Sequence, residues 1–431
     1  MNRLAAQRRK SVATAEGRGR DIHARVSRGL LAMLLLAAPS YAQELTIERV
    51  TTMYIERNLD LQAARYRLER TRADQIAARL RPNPGITVTA ENFVVSGPTP
   101  FNRLYEIATS YSETIELGGK RKLRERVADL TVSAAEAQFA DAMRRGVAAV
   151  KRLYYDAVLA RYNVEVTSEN RQTFGQLLQV SQARFQEGAI PEADLIKVRL
   201  ERIKYDSAVR QAELSLRQAT IRLLERVGES NFAKQDVIGE MSFTAANPTL
   251  ESMRQQAVAE RPDVQAAMRE VDAAEERLSL ERARAHPDLS PFAGYKRIGT
   301  DNSVSFGVSV PLKIRDRNQA GIARAETDTK TAKTQLQLVR NRVLAEVETA
   351  YEAFQTAREQ VQTFRSELLN QADESRTIAL AAYEEGGTDL LPFLEAQRTR
   401  AEVRQQYFKT LFDYRSSLID LELAVGREIQ P

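Results

Sequence analysis

The sequence of 431 residues is 43% hydrophobic and contains no cysteine, which excludes disulfide bonds, thiol catalysis and cysteine-based zinc sites. Eight of the 63 basic residues and two of the 58 acidic residues lie in positions 1–42. The remaining residues therefore carry 55 basic and 56 acidic side chains, a net charge of −1. The basic excess is confined to the first 42 residues, so the body of the chain shows no charge pattern for nucleic-acid binding.

Residues 1–42 have the pattern of a secretory signal peptide. Arg25 and Arg28 precede a short apolar run at residues 30–38, and Ser40-Tyr41-Ala42 provides the small residues expected at a cleavage site. We predict export with cleavage after Ala42. Because no cysteine follows the run, no lipid is expected at the mature N-terminus. The alternative is an uncleaved N-terminal anchor, although nine apolar residues are too few to span a bilayer.

Two strands are predicted near the start of the mature chain. A helical pattern over residues 45–80 ends before Pro82 and Pro84, because proline interrupts helices. Residues 85–95 are rich in Thr, Val and Ile, and residues 105–117 alternate between apolar and polar side chains. Alternation with a period of two is typical of a strand with one wet and one apolar face.

The longest predicted element follows these strands. Residues 120–185 contain no proline and only two glycines, and a helix of that length would be roughly 100 Å long. Gly188 and Pro191 mark a tip at residues 186–192, because glycine favours helix C-termini and proline favours the first turn of a helix. Residues 192–227 then form a second long helix, which completes a hairpin.

The chain then repeats this organisation, which indicates an internal duplication. The second half predicts strands at residues 288–298 and 302–312, a long helix over residues 318–385, and a tip at residues 385–389. Gly386 and Gly426 each follow their first-half counterparts, Gly188 and Gly228, by 198 residues. We therefore divide the mature chain into a first repeat over residues 43–236 and a second repeat over residues 237–431.

The long helices carry the apolar spacing of coiled coils, three and four residues apart. In the second half this seam comprises Ala350, Phe354, Ala357, Val361, Phe364 and Leu368. In the first half it comprises Leu123, Val127, Leu130, Ala134 and Ala137. The four predicted strands are too few to close a barrel alone, and an open sheet in lipid leaves unpaired edges. The strands therefore indicate oligomerisation, in which several chains pool their strands.

With its duplicated architecture, the mature chain resembles the TolC-like outer-membrane efflux proteins along its whole length. The motifs that carry the resemblance are Asn83-Pro84, His286-Pro287, Arg184-Phe185-Gln186-Glu187-Gly188, Asp194-Leu195, Tyr383-Glu384-Glu385-Gly386 and Phe393-Leu394-Glu395-Ala396-Gln397. Residues 115–121, with the sequence Ile-Glu-Leu-Gly-Gly-Lys-Arg, are similar to the cobalt–zinc–cadmium branch of that family, whose members serve heavy-metal efflux pumps.

The resemblance implies a mainly α-helical fold with a small β part. Each half would supply a helix, two strands and a long helical hairpin to a homotrimer, with a β-barrel in the outer membrane and an α-helical barrel in the periplasm. It implies the exit duct of a tripartite efflux system, in which the helical tips dock on a periplasmic adaptor joined to an inner-membrane pump of the RND type. Such a duct is not an enzyme and needs no cofactor.

The resemblance also implies roles for residues at the two tips. Asp194 and Tyr383 fall where family members link neighbouring hairpins and close the tunnel, whereas Thr388 replaces an arginine that often joins them. Glu395 falls at a pore-facing acidic position, with Pro392 at the companion position, and a ring of three Glu395 carboxylates would select for cations. The structural alternative is that both acids stabilise helix N-termini through the helix dipole.

Adaptor docking is expected to involve Gly188, Gly386 and Gly387, with helix capping as their alternative role. His286, the only histidine after the signal peptide, stands beside Pro287 at a strand entry and is interpreted as structural. One imidazole with scattered carboxylates is a poor site for zinc or copper, so no metal site is predicted. The competing functions are a duct for drugs or other small organic molecules, and a periplasmic coiled-coil adaptor or scaffold.

Overall fold

The computed structural model describes residues 44–98, 100, 103, 105–244 and 246–429, so the predicted signal peptide lies outside the described residues. In chain order the elements are α1 (Ile47–Arg57), α2 (Leu59–Arg79), β1 (Gly85–Glu91), β2 (Glu106–Ser112), α3 (Lys120–Gln186), α4 (Glu192–Arg226), α5 (Leu250–Glu260), α6 (Pro262–Arg284), β3 (Ser290–Ile298), β4 (Asp301–Ser309), α7 (Gln319–Thr363), a π-helical segment (Phe364–Leu368), α8 (Leu369–Glu384) and α9 (Leu390–Val425). This order is the duplicated helix–strand–strand–hairpin fold, mainly α-helical with a small sheet, that the sequence predicts.

The four strands form one antiparallel sheet in the order β1-β2-β3-β4. Val88 is opposite Thr109, Thr109 is opposite Tyr295, and Tyr295 is opposite Val304, so these four side chains share one face. That face also carries Ile86, Tyr111, Phe306 and Val308, and it is exposed; Phe306 is 79% exposed. The other face is lined mainly by Thr, Ser and Gly. The sheet therefore presents a wide apolar surface that nothing in the described chain covers.

The strands are shorter than the alternating pattern predicts. β2 ends at Ser112 rather than near residue 117, and β4 ends at Ser309 rather than near residue 312. Beyond Ser112, the backbone pairing with the start of β3 is reduced to a hydrogen bond from Glu113 N to Pro291 O at 3.2 Å and an isolated bridge between Ile115 and Leu289, with N–O distances of 2.7 and 3.1 Å. The alternation of apolar and polar residues continues past the strand ends, because the segments that connect the strands to the helices are also extended.

Each half contains a helical kink that the sequence pattern did not predict. Asn58 separates α1 from α2, and Arg261 separates α5 from α6. The Asn58 amide accepts a hydrogen bond from Leu61 N and donates one to Arg226 O, both at 2.8 Å. The Arg261 guanidinium donates to Ala424 O at 2.9 Å. In both halves the kink residue thus satisfies a carbonyl at the end of the returning hairpin helix, where helices leave carbonyls without partners.

The predicted helix over residues 318–385 is interrupted by the π-helical segment. On the side of this segment away from the tips, Tyr154 of α3 and Tyr351 of α7 occupy equivalent positions in the two repeats. Each hydroxyl donates to a backbone carbonyl of the segment between the repeats. These tyrosines are 197 residues apart, whereas the tip glycines Gly188 and Gly386 are 198 apart. The second repeat therefore has one additional residue between these points. A π-turn is how a helix absorbs a single inserted residue.

The main hydrophobic core lies where α1, α5 and the ends of α4 and α9 pack against the middle of α3 and α7. The largest buried side chains there are aromatic or leucine, including Tyr414, Phe354 and Leu223. Toward the tips only narrow stripes of the helices are buried, as expected of coiled coils with water on their other faces. Among the described helices, none combines the length and apolar character required to cross a membrane.

Candidate functional site: the paired hairpin tips

The two hairpin tips have the same backbone geometry. After α3, Gly188 has φ +72°, and Ala189 N donates to Arg184 O at 2.8 Å. After α8, Gly386 has φ +76°, and Gly387 N donates to Ala382 O at 2.9 Å. A left-handed residue followed by this hydrogen bond is the usual helix C-terminal motif, and glycine adopts it without strain. The motif accounts for Gly188 and Gly386, but Gly387 has no positive φ that would require glycine.

An apolar group, here called the tip cluster, joins the two hairpins just above their ends. It comprises Phe174, Leu177, Val198, Tyr383, Leu390, Phe393 and Leu394. Tyr383 is 5% exposed and stacks on Phe393 with ring centroids 6.2 Å apart. The Arg184 guanidinium lies 5.2 Å from the Tyr383 ring centroid and donates to Glu384 O at 3.0 Å. Tyr383 therefore joins the two hairpins of one chain.

The Tyr383 hydroxyl is buried and has no hydrogen-bond partner in the described part of the chain. Asp194, the residue expected to share its role, is half-buried in the first turn of α4 and forms an ion pair with Lys197 at 3.0 Å. The two side chains are thus not brought together within one chain. Their predicted link between neighbouring hairpins stays a prediction, and a buried phenol without a partner is the kind of group that another subunit can satisfy.

Glu395 lies on the opposite side of the second hairpin from the tip cluster. It is exposed and lines a groove of about 680 Å³ between α8 and α9. The groove is also lined by Glu374, Ile378, Thr388 and Pro392. Thr388 and Pro392, which stand where the resemblance implies an arginine and an acidic residue, therefore line the same groove as Glu395. In the described residues, no group of three or more His, Asp or Glu side chains is placed to hold a metal ion.

A second contact between the hairpins, here called the polar layer, lies one to two turns above the tip cluster. Its members are Glu169 and Asn170 on α3, Glu201 on α4, Asp373 and Arg376 on α8, and Gln397, Arg398, Arg400 and Arg404 on α9. The Gln397 amide donates to Asn170 Oδ1 at 2.7 Å and accepts from Arg376 Nε at 3.2 Å. Gln397 and Asn170 are only 1% and 2% exposed.

Charges complete the polar layer on both sides of this amide pair. Arg400 donates to Glu169 at 3.0 Å, Arg404 contacts the same carboxylate, and Arg398 pairs with Glu201. Burial opposes the ionisation of Glu169 and Glu201, but hydrogen bonds and charges outweigh it and lower the pKa of both carboxyls. They come from Arg400 and Arg404 at Glu169, and from Lys204 and Arg398 at Glu201. Both acids therefore stay ionised at neutral pH and hold α9 against the first hairpin.

Sequence reasoning missed the polar layer, although one signal was present. Asn170, Phe174 and Leu177 follow the coiled-coil spacing on α3, and Leu390, Leu394 and Gln397 follow it on α9. A polar residue at a seam position often fixes the register of a coiled coil. The spacing alone could mark Asn170 and Gln397 as unusual, but it could not show that they face each other.

Known proteins resemble the chain in sequence and in fold. The family model described as Outer membrane efflux protein matches residues 50–229 and 253–427. The cobalt-zinc-cadmium resistance protein CzcC of Cupriavidus metallidurans is 26% identical over 393 residues, which are 90% of this chain and 91% of that protein. The nickel and cobalt resistance protein CnrC of the same organism is 29% identical over 62% of this chain and 63% of that protein.

Solved structures show the same fold at lower identity. A crystal structure of CusC superposes with a TM-score of 0.73 and 19% identity, covering 88% of this chain and 92% of that chain. The outer membrane protein VceC of Vibrio cholerae gives a TM-score of 0.71 and 17% identity, covering 89% of this chain and 97% of that chain. The two segments that the family model matches fall one in each of the duplicated halves.

Proposed function

Because the chain belongs to the outer membrane efflux protein family, we propose that it is the outer-membrane exit duct of a tripartite efflux system that exports heavy-metal cations. The observation that carries this proposal is the match to the cobalt-zinc-cadmium resistance protein along nine-tenths of both chains. Relatives named for nickel, cobalt and cadmium resistance point to the same cargo. The family consists of transport ducts, so the chain conducts its cargo and performs no reaction on it.

A ring of three chains accounts for a helix face that one chain leaves uncovered. In the second half, α6 lies between α3 and α7 and contacts both. Its counterpart α2 packs on α3, and its other side carries Leu59 and Tyr66, which are 72% and 61% exposed. By the internal repeat, the missing neighbour of α2 is the α7 of a second copy. Such head-to-tail contacts generate a closed ring when the rotation between copies closes.

The sheet supports the same assembly and its place in the membrane. β1 and β4 each have one neighbouring strand in the described chain, so β4 of one copy can pair with β1 of the next. Pairing around the ring removes the open edges that lipid would not tolerate. The exposed apolar face would then contact lipid, and the polar face would line the duct. Cleavage of the signal peptide after Ala42 and the absence of a lipid anchor stay predictions.

At the other end, the tips would meet a periplasmic adaptor that connects the duct to an inner-membrane pump of the RND type. Gly387 is the strongest docking candidate of the three tip glycines, because helix capping already explains Gly188 and Gly386. We propose that Asp194 and Tyr383 link adjacent hairpins between subunits. The support is the buried Tyr383 hydroxyl, which lacks a partner within the described residues of one chain.

Glu395→Gln is expected to weaken the block of the open duct by divalent cations. Three copies of Glu395 around a threefold axis would concentrate negative charge, which attracts Co²⁺. We expect the Co²⁺ concentration for half-block in planar bilayers to rise roughly tenfold, equivalent to about 1.4 kcal/mol. Glu374→Gln, in the same groove, is the matched control and should change block less. Equal block in wild type and Glu395→Gln would remove Glu395 from the cation path.

Deletion of the gene tests the function itself. Cells without the chain should become sensitive to cobalt, zinc, cadmium or nickel salts, and expression of the full chain should restore growth. Sensitivity to dyes, detergents and antibiotics without any change toward metals would instead support the second candidate, a duct for small organic molecules. A protein recovered in the soluble periplasmic fraction as a monomer would contradict both ducts and favour a coiled-coil scaffold.

A further inference from the structure

The helix α4 carries apolar residues on two opposite sides. On one side, Val198 and Val209 are buried against the rest of the chain. On the other side, Ile196, Leu200 and Ile203 are 44%, 55% and 57% exposed. Their spacing of four and three residues is that of a coiled-coil seam. We call these three residues the α4 stripe, and nothing in the described chain covers it.

The two hairpins form a row of four helices, and α4 lies at one end of it. Helix α4 packs on α3, α3 packs on α9, and α9 packs on α8, which is the other end of the row. This row continues the row α2–α3–α6–α7 toward the tips, because α8 follows α7 and the upper end of α4 meets the start of α2 at Asn58. Since the open side of α7 is assigned to α2 of a second copy, the open side of α8 faces α4 of that same copy.

The groove that contains Glu395, here called the α8–α9 groove, lies on this open side. Only α8, α9 and their connection line it. Ile378, Ala379 and Ala382 supply apolar lining, and Ile378 is 63% exposed. The charged residues of the lining are Glu374 and Glu395, and neither has an ion pair within the described residues. The groove therefore fits an apolar helix face that carries a cation beside it.

The polar layer shows that the α4 stripe and the α8–α9 groove lie at the same level. Arg398 of α9 pairs with Glu201 of α4, and the neighbouring Gln397 accepts from Arg376 of α8 at 3.2 Å. Residues near position 201 of α4 are therefore level with residues near position 376 of α8. Rotation about an axis along the helices preserves this level, so α4 of a second copy meets α8 with its stripe opposite the groove.

The charges beside the stripe complement those of the groove. Arg199 adjoins Leu200, and Glu374 adjoins Ser375, so both charges lie within one helical turn of the common level. Both side chains are exposed, and in the described part of the chain Arg199, like Glu374, forms no ion pair. Glu192, an acid on the same side of α4, lies about two turns nearer the tip.

We propose that the α4 stripe of one copy packs into the α8–α9 groove of the next, with Arg199 paired to Glu374 across the contact. The inference rests on the proposed ring of three chains and extends its α7–α2 contact toward the tips. The groove is thus completed by a second copy, which contributes both the apolar face and the cation. The periplasmic adaptor, as the other candidate occupant, is distinguished by the test.

Paired cysteines report this contact directly, because the chain contains no other cysteine. The full chain with Leu200→Cys and Ser375→Cys should form disulfides between copies on mild oxidation, giving covalent dimers and trimers on gels without reductant. The matched control combines Ser375→Cys with Arg202→Cys, because Arg202 has the same level on α4 but reaches toward Gly175 of α3. The control should cross-link at least roughly tenfold less, because a disulfide requires Cβ atoms about 4 Å apart.

The ion pair is tested in the chain with Leu200→Cys and Ser375→Cys. Arg199→Glu should reduce cross-linking, because it places like charges opposite each other, and adding Glu374→Arg should restore it. Failure of the double exchange to restore cross-linking would overturn the ion pair.

Light scattering in neutral detergent separates failure of this contact from failure of the ring. Trimers that form no disulfide between copies would overturn the proposed contact and leave the ring intact, whereas monomers would overturn both. A photoreactive benzophenone attached to Leu200→Cys in cells should link to a second copy of the chain. Linkage to the periplasmic adaptor alone would overturn the proposal and assign the α4 stripe to the adaptor.

Discussion

Arg261→Met is expected to lower the free energy of unfolding by about 3 kcal/mol, because it removes the cation from a buried ion-pair network. The Arg261 side chain is 3% exposed and binds Asp263 and Glu346, each at 2.7 Å, in addition to Ala424 O. Burial opposes its charge, but the hydrogen bonds of Asp263 and Glu346 outweigh this and raise the pKa of Arg261. Methionine keeps the aliphatic volume but removes the donor to Glu346 and to the Ala424 carbonyl, and it leaves Asp263 with the backbone N–H of Val264.

Thermal unfolding of the detergent-solubilised chain, followed by helical circular dichroism, measures this effect. The control is Arg427→Met, since Arg427 is 49% exposed in its ion pair with Glu260 and exposed pairs contribute at most about 1 kcal/mol. We expect a clear drop in the midpoint for Arg261→Met and almost none for Arg427→Met. Equal midpoints for the two variants would mean that the kink between α5 and α6 does not depend on Arg261.

The region around Arg261 contains one feature that the sequence predicts, the duplication, and one that it does not, the helical kink. The equal spacing of Gly188 from Gly386 and of Gly228 from Gly426 indicated the duplication, because repeated spacing requires only the sequence. The kinks at Asn58 and Arg261 were not predicted. Each is stabilised by a carbonyl more than 160 residues away, Arg226 O or Ala424 O. Local periodicity over residues 45–80 describes a continuous helix, and only the tertiary contact shows where it bends.

The candidate site likewise contains features that local sequence signals predict and features that depend on tertiary contacts. The tips, their glycines and the second-half seam from Ala350 to Val361 followed from helix-terminating residues and heptad spacing, which are local signals. The last two predicted seam residues, Phe364 and Leu368, lie in the π-helical segment and are not buried. The polar layer was missed, because its contacts join residues of both hairpins, as in Asn170 with Gln397. The sequence did not predict the π-helical segment, because one additional residue in the second repeat leaves the apolar spacing almost unchanged. The roles of Asp194, Tyr383 and Glu395 depend on contacts between subunits, and they remain predictions.

Gly146→Ala is expected to destabilise the chain by about 3 kcal/mol, because overpacking a rigid core forces side chains from their preferred positions. Gly146 lies in the middle of α3, where α1 crosses it. A Cβ atom there would lie 1.7 Å from Tyr54 Oη and 2.3 Å from Cζ of the same ring. Tyr54 is 2% exposed, so its ring cannot move aside. The methyl group would therefore push α1 away from α3 and open the main core.

Gly175→Ala on the same helix is the matched control for this prediction. A Cβ atom at Gly175 would meet only the Arg202 guanidinium, at 3.3 Å, and that side chain is 40% exposed and can shift. Since alanine favours helices over glycine by about 1 kcal/mol, Gly175→Ala should leave stability unchanged or raise it. Thermal midpoints measure both variants. The Tyr54 ring is the group that a methyl at Gly146 would strike. Adding Tyr54→Leu to Gly146→Ala should therefore recover part of the lost stability. If the double variant recovers none, the strain lies elsewhere.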